Sequence, residues 1–141
     1  MPFEFLEDAV TSDVTFHAWG ASLDELFGAA AEATTQLMVD SLDRVVPRVR
    51  RLVAVQAEAL DLLLAHFLDE LIFLKDVDRL LLRVTRVEVE PDPPRLRAEL
   101  AGEPIDPARH ELAADVKAVT LHGLQVEQRA GTWHAQVTLD V

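Results

Sequence analysis

From Leu80 to Val141 apolar and polar residues alternate with a period of two, and within two of the segments the alternation changes phase. A strand can exchange its two faces only by inserting residues into the ladder. Leu82 and Val84 are apolar at even positions, Val87 and Val89 at odd ones, which predicts a β-bulge near Thr85–Arg86. Val119 and Leu121 give way to Leu124 and Val126 in the same manner, with His122-Gly123 between them. Trp133, Ala135, Val137, Leu139 and Val141 then alternate without a break with His134, Gln136, Thr138 and Asp140. Pro91-Asp92-Pro93-Pro94 separates strands Leu80–Glu90 and Arg95–Gly102, because prolines fix φ and lack the ladder donor. Arg129-Ala130-Gly131 supplies a hairpin turn, with a glycine for positive φ.

Helical periodicity is confined to the first half. Val14, Phe16 and Ala18 read as a strand that Gly20 ends. Ser22 with Glu25 has capping-box spacing, and Leu23, Leu26, Ala30, Ala33, Leu37 and Met38 follow as one face of a helix of roughly five turns. Asp40 to Pro47 is its exit loop, Val49–Val55 a strand, and Glu58–Leu74 a second helix that is apolar almost all round. Such a helix is buried centrally or packed against a subunit, which leaves an oligomer open. The order β-α-β-α-β-β-β-β implies an α+β fold: one domain, 1–141, with two helices on a mostly antiparallel sheet formed largely by C-terminal hairpins.

Half of the residues are hydrophobic, enough for one core, and the absence of cysteine excludes disulfides, thiolate metal sites and thiol nucleophiles. Any metal must be held by oxygen or imidazole. Against 13 basic residues stand 25 acidic ones, a formal charge of −12, which disfavours direct binding of nucleic acid or an anionic membrane. Arg48, Arg50 and Arg51 read as a solvated strand edge. Met1–Leu6 lacks the pattern of a leader, and Leu60–Leu74 is interrupted by Asp61, His66, Asp69 and Glu70, so a cytoplasmic protein is expected.

Asp140 lies on the polar parity of the last strand, next to Val141 and its terminal carboxylate. Asp13 shares the polar parity of the first strand with Thr15 and His17. Were those strands neighbours, Asp13, Asp140 and the terminus would offer a hard, all-oxygen cation site; spacing alone favours a solvated aspartate at each end. Glu103, Asp106 and His110 sit in a polar loop stiffened by Pro104 and Pro107, suited to a turn or a docking surface. Lys117 is a point charge suited to phosphate or carboxylate, and equally to a surface ion pair. His122 occupies a phase shift, where bulges re-aim side chains. His66, Asp69 and Glu70 are spaced for pairing on a helix surface. No nucleophile has an adjacent base, so the chain does not read as an enzyme. A hydrolase built on Asp13, Asp140 and His134 ranks last, and the apolar second helix would suit a chaperone-like module.

Four segments together resemble the archease family over nearly the whole chain: Asp115-Val116-Lys117-Ala118-Val119-Thr120-Leu121-His122-Gly123-Leu124, Gly102-Glu103-Pro104-Ile105-Asp106-Pro107 through His110-Glu111, Leu68-Asp69-Glu70-Leu71-Ile72-Phe73-Leu74, and Leu139-Asp140-Val141. Where that family reads Asp-His-Thr-Ala-Asp, this chain reads Ala9-Val10-Thr11-Ser12-Asp13, and Leu121 replaces a tyrosine. The resemblance implies a protein cofactor for the tRNA-splicing RNA ligase that joins 3′-phosphate or 2′,3′-cyclic phosphate ends to 5′-hydroxyl ends, promoting its guanylation and multiple turnover. It also implies a divalent cation held by Asp13, Asp140 and Val141, calcium in isolation or else magnesium or manganese, with Lys117 as an activation residue.

Overall fold

The computed structural model describes residues 2–6 and 13–141. Its elements are β1 (Phe3–Leu6), β2 (Asp13–Gly20), α1 (Leu23–Met38), a short 3₁₀ turn at Leu42–Arg44, β3 (Val49–Gln56), α2 (Leu60–Asp78), β4 (Leu80–Pro91), β5 (Pro94–Pro104), β6 (Ala118–Arg129) and β7 (Thr132–Asp140). The fold is α+β, and every strand pairing is antiparallel. The strands form two sheets, β1-β2-β7-β6 and β3-β5-β4, rather than one. Pro104 and Pro107 end β5, and the segment that follows carries the chain to the other sheet before β6 begins. Strand β1 was not anticipated: at four residues it is too short to declare a period.

Helix α1 starts as its capping box requires. Ser22 Oγ accepts from the Glu25 amide at 3.1 Å, and Glu25 Oε2 accepts from the Ala21 amide at 2.8 Å. Helix α2 runs to Asp78, a turn beyond the expected end, and closes on Arg79 in the left-handed conformation. Both helices pack against both sheets. Phe27 and Phe67, ring centroids 6.4 Å apart, join them at the centre of a core that includes Phe16, Leu26, Leu64, Leu68, Leu100 and Leu139. The apolar α2 is thus mostly buried inside the domain, leaving Phe73 and Val77 exposed on its outer side.

The expected phase shifts are present. In β4 one extra residue falls between Val84 and Arg86. In β6 the interruption is wider: between Thr120 and Gln125 four residues, Leu121 to Leu124, face the single Val137, and Gly123 has φ +69°. The net insertion is odd in both, so each strand changes face. The β4–β5 ladder extends further than expected, to Pro91 opposite Pro94, around a cis Asp92–Pro93 peptide.

At the β6–β7 turn Ala130 (φ +51°) precedes Gly131 (φ +81°), the two positive dihedrals of a type I′ hairpin. A left-handed alanine is strained by roughly 1 kcal/mol. Ala130→Asn is expected to stabilise the protein by about 0.5–1 kcal/mol, read as a higher urea midpoint at unchanged m-value. An unchanged or lower midpoint would contradict the assigned turn.

Candidate functional site

Sheet β1-β2-β7-β6 turns Phe16, Ala18, Ala135, Val137 and Leu139 into the core. Its opposite face is set by direct cross-strand pairs: Asp13 with Asp140, Thr15 with Thr138, His17 with Gln136, Trp19 with His134. The first and last long strands are therefore neighbours, in the register that brings Asp13 and Asp140 together. Ala118 of β6 stands on the other side of Asp140, and the Lys117 amide donates to the Asp140 carbonyl at 2.8 Å. Thr15 Oγ1 and Thr138 Oγ1, hydrogen-bonded at 2.8 Å, form the next row.

Like charges directly opposite one another destabilise a strand pair. Among the described residues neither Asp13 nor Asp140 has a basic side chain within ion-pair range. Nor do any three His, Asp or Glu side chains among them converge as a metal site. Carboxylate oxygens such as those of Asp13 and Asp140 are hard donors, which suit calcium, magnesium or manganese better than softer ions. Ala9, Val10, Thr11 and Ser12, which precede Asp13, lie outside the described residues.

The other expected site residues divide by exposure. Lys117 is exposed beside the Asp13–Asp140 corner, and His122 is exposed on the β6 bulge. Asp106 is half-buried and organises its own loop: its carbonyl accepts the Arg109 and His110 amides, and its carboxylate the Ala108 amide. Glu103 and His110, each 2% exposed, face inward. Glu103 Oε2 accepts from the Val46 amide at 2.7 Å and lies 3.2 Å from His110 Nε2, while Oε1 pairs with Arg109. His110 Nδ1 accepts from the Asp106 amide at 2.9 Å, which puts the ring proton of neutral His110 on Nε2, toward Glu103. Burial alone would raise the Glu103 pKa, but the Val46 amide, Arg109 and His110 outweigh it and hold the carboxyl at about 2. These two residues hold the loop in place and do not themselves face a partner.

His134 stands six residues from Asp140 on β7, about 20 Å away along the strand, so the two share no hydrolytic site. Asp69 does not pair with His66; its Oδ1 accepts from the Val119 amide at 3.1 Å and ties α2 to β6. Arg50 and Arg51 lie on the edge strand β3 and are answered by Glu99 and Asp78, so no free basic patch forms there.

Lys75 was missed from the sequence. It is 7% exposed, and its Nζ donates to Asp115 Oδ1 at 2.9 Å and to the Val116 carbonyl at 2.6 Å, with Asp76 Oδ1 also 2.9 Å away. The hydrogen bond from Lys75 lowers the Asp115 pKa. Leu64, Leu68, Leu71 and Lys75 follow at helical spacing, and this was the available signal that Lys75 continues the buried stripe.

No helix among the described residues is long and apolar enough to cross a membrane. Residues 3–141 match the model of the Archease protein family (MTH1598/TM1083). The chain is 37% identical to Protein archease of Thermococcus gammatolerans over 134 residues, covering 93% of this chain and 94% of that protein. It is 35% identical to Protein archease of Methanopyrus kandleri over 145 residues, covering all of both. The solution structure of protein 1598 from Methanobacterium thermoautotrophicum is similar with a TM-score of 0.84 and 34% identity, covering 99% of each chain. The crystal structure of an archease, possible chaperone, from Thermotoga maritima is similar in fold alone, with a TM-score of 0.67 and 16% identity over 96% of this chain and 98% of that one. On this family match and these identities, the chain belongs to the archease family.

Proposed function

We propose that this protein is a non-catalytic activator of an RNA ligase, docking on it through the corner where Asp13, Asp140, Val141 and Lys117 meet. The observation that supports this reading most is the strand register, which sets two aspartates opposite each other beside Lys117, with no ion-pair partner among the described residues. A divalent ion held there by Asp13, Asp140 and the Val141 carboxylate would supply positive charge for phosphate or nucleotide oxygens of a ligase. Lys117, whose amide is bonded to the Asp140 carbonyl, adds an exposed ammonium near that corner, and His122 an exposed imidazole further along β6. Glu103, Asp106 and His110 fix the segment that leads to Lys117. Nothing in this set forms a nucleophile with its base, so the chemistry belongs to the partner.

The test is multiple-turnover joining of 3′-phosphate or 2′,3′-cyclic phosphate ends to 5′-hydroxyl ends by the cognate ligase. Wild-type protein is expected to raise turnover and guanylation, and Asp140→Asn to bring both back near the level of ligase alone. Equal turnover with and without the protein, in both magnesium and manganese, would sink the proposal. A chaperone-like role is the second reading; the Thermotoga maritima structure of similar fold is that of an archease, possible chaperone. It rests on exposed Phe73 and Val77, and would be favoured by suppression of aggregation of unrelated proteins that Asp140→Ala leaves unchanged.

A further inference from the structure

The far end of the same sheet face carries a different set of side chains. Glu4 of β1 is the cross-strand partner of His17 of β2, and Glu127 of β6 that of His134 of β7. One face of the four strands therefore reads Glu, His, His, Glu. His17 Nε2 and His134 Nδ1 point at each other 2.9 Å apart, with ring planes 2° from parallel. On the opposite edge of its ring, His17 Nδ1 lies 3.5 Å from Glu4 Oε1.

We propose that His17 and His134 bind a first-row transition-metal ion, zinc or copper(II), independently of the Asp13–Asp140 corner. Two imidazole nitrogens facing each other across one hydrogen bond are borderline ligands, which suit these ions and not calcium or magnesium. Metal–nitrogen bonds of about 2.0–2.1 Å in tetrahedral geometry place the two nitrogens about 3.3 Å apart, so the rings must tilt off their shared axis as they separate from 2.9 Å to admit the ion. Glu4 supplies the outer carboxylate: by attracting the proton to His17 Nδ1 it leaves the Nε2 lone pair toward the ion. The single proton of neutral His134 moves from Nδ1 to Nε2, so binding needs a change of tautomer and no net proton loss. Arg129 of β6 acts on His134 with its positive charge. Arg129 is itself held by Glu127 at 2.9 Å, which offsets its repulsion of a cation. Water completes the coordination. His17 stands four residues from Asp13, about 13 Å along the strand, so the two sites share no ligand.

The test uses the full chain stripped of metal and titrated with copper(II), with zinc as competitor. The ring centroid of Trp19 is 5.2 Å from that of His17, so bound copper should quench tryptophan fluorescence at one equivalent. The electron paramagnetic resonance spectrum should show coupling to two nitrogens. The paired change His17→Ala with His134→Ala should abolish both signals, and Glu4→Gln, at an exposed side chain, should weaken binding roughly tenfold or more with the fold intact. Asp13→Asn with Asp140→Asn should leave the copper titration unchanged. Wild-type affinity in the double histidine variant, or loss of copper binding in the double aspartate variant, would overturn the assignment.

Discussion

Gly102→Ala is expected to cost about 4 kcal/mol or more, enough to unfold a domain of this size under mild conditions. Gly102 lies in β5, the central strand of its sheet, opposite Val49 on one side and Leu82 on the other, and its carbonyl accepts the Arg48 amide at 2.8 Å. A Cβ added there would stand 1.8 Å from the Leu81 carbonyl oxygen and 2.8 Å from its carbon. Both atoms are β4 backbone, so relief requires shifting the β4 ladder against β5 or moving β5 itself, which is bonded on both sides. Gly28→Ala is the control: in α1 the nearest neighbour of the new Cβ is Val87 Cγ1 at 4.0 Å, and helix propensity predicts a gain of roughly 0.5–1 kcal/mol. Urea unfolding of the two variants should thus give opposite signs. A Gly102→Ala variant within 1 kcal/mol of wild type would show that β4 and β5 are not packed this closely.

Glu103→Gln is expected to destabilise the protein by roughly 2–4 kcal/mol at pH 7, because Arg109 and buried His110 lose the charge they surround. The same carboxylate sets an acid limit. Its folded pKa, about 2, lies below the ordinary 4.5, so the unfolded chain takes up the proton first. The stabilisation is complete above pH 4.5 and is lost progressively as pH falls toward 2. At about 1.4 kcal/mol per pKa unit the effect is on the order of 3 kcal/mol. Between pH 7 and pH 3 wild type should lose clearly more stability than Glu103→Gln. Parallel losses would mean that the carboxylate is not held ionised by these partners.

The alternation in the second half of the chain was legible because one face of each strand is buried, and that makes register and side the same information. It located both bulges, the last hairpin and the parity that puts Asp13 and Asp140 on one face. Alternation says nothing about which strands are neighbours, so the division into two sheets, and the arrival of β7 beside β2, came only with tertiary structure. Glu103 and His110 looked like surface groups in a polar loop. Their burial depends on Val46 and Arg109, which reach them from a distant turn and from within the loop, and no local pattern encodes those partners. Lys75 was hidden for the opposite reason: its charge argued for solvent, while its place in the helical stripe argued for the interior.

The segment from Ile105 to Lys117 lacks regular structure, yet it is tied along most of its length. Ile105 bonds Arg79, the Glu111 carbonyl accepts from Asp40, and Ala113 and Ala114 bond Met38 and Leu37. Lys75 grips Asp115 and Val116 from below, and Lys117 bonds Asp140. Ordering the backbone of a loose loop on association costs about 1–2 kcal/mol for each residue fixed. Here folding has already met that entropy for the backbone that presents Lys117. A partner should therefore meet a surface close to its bound shape, with differences in affinity among its variants expressed in how slowly the complex dissociates.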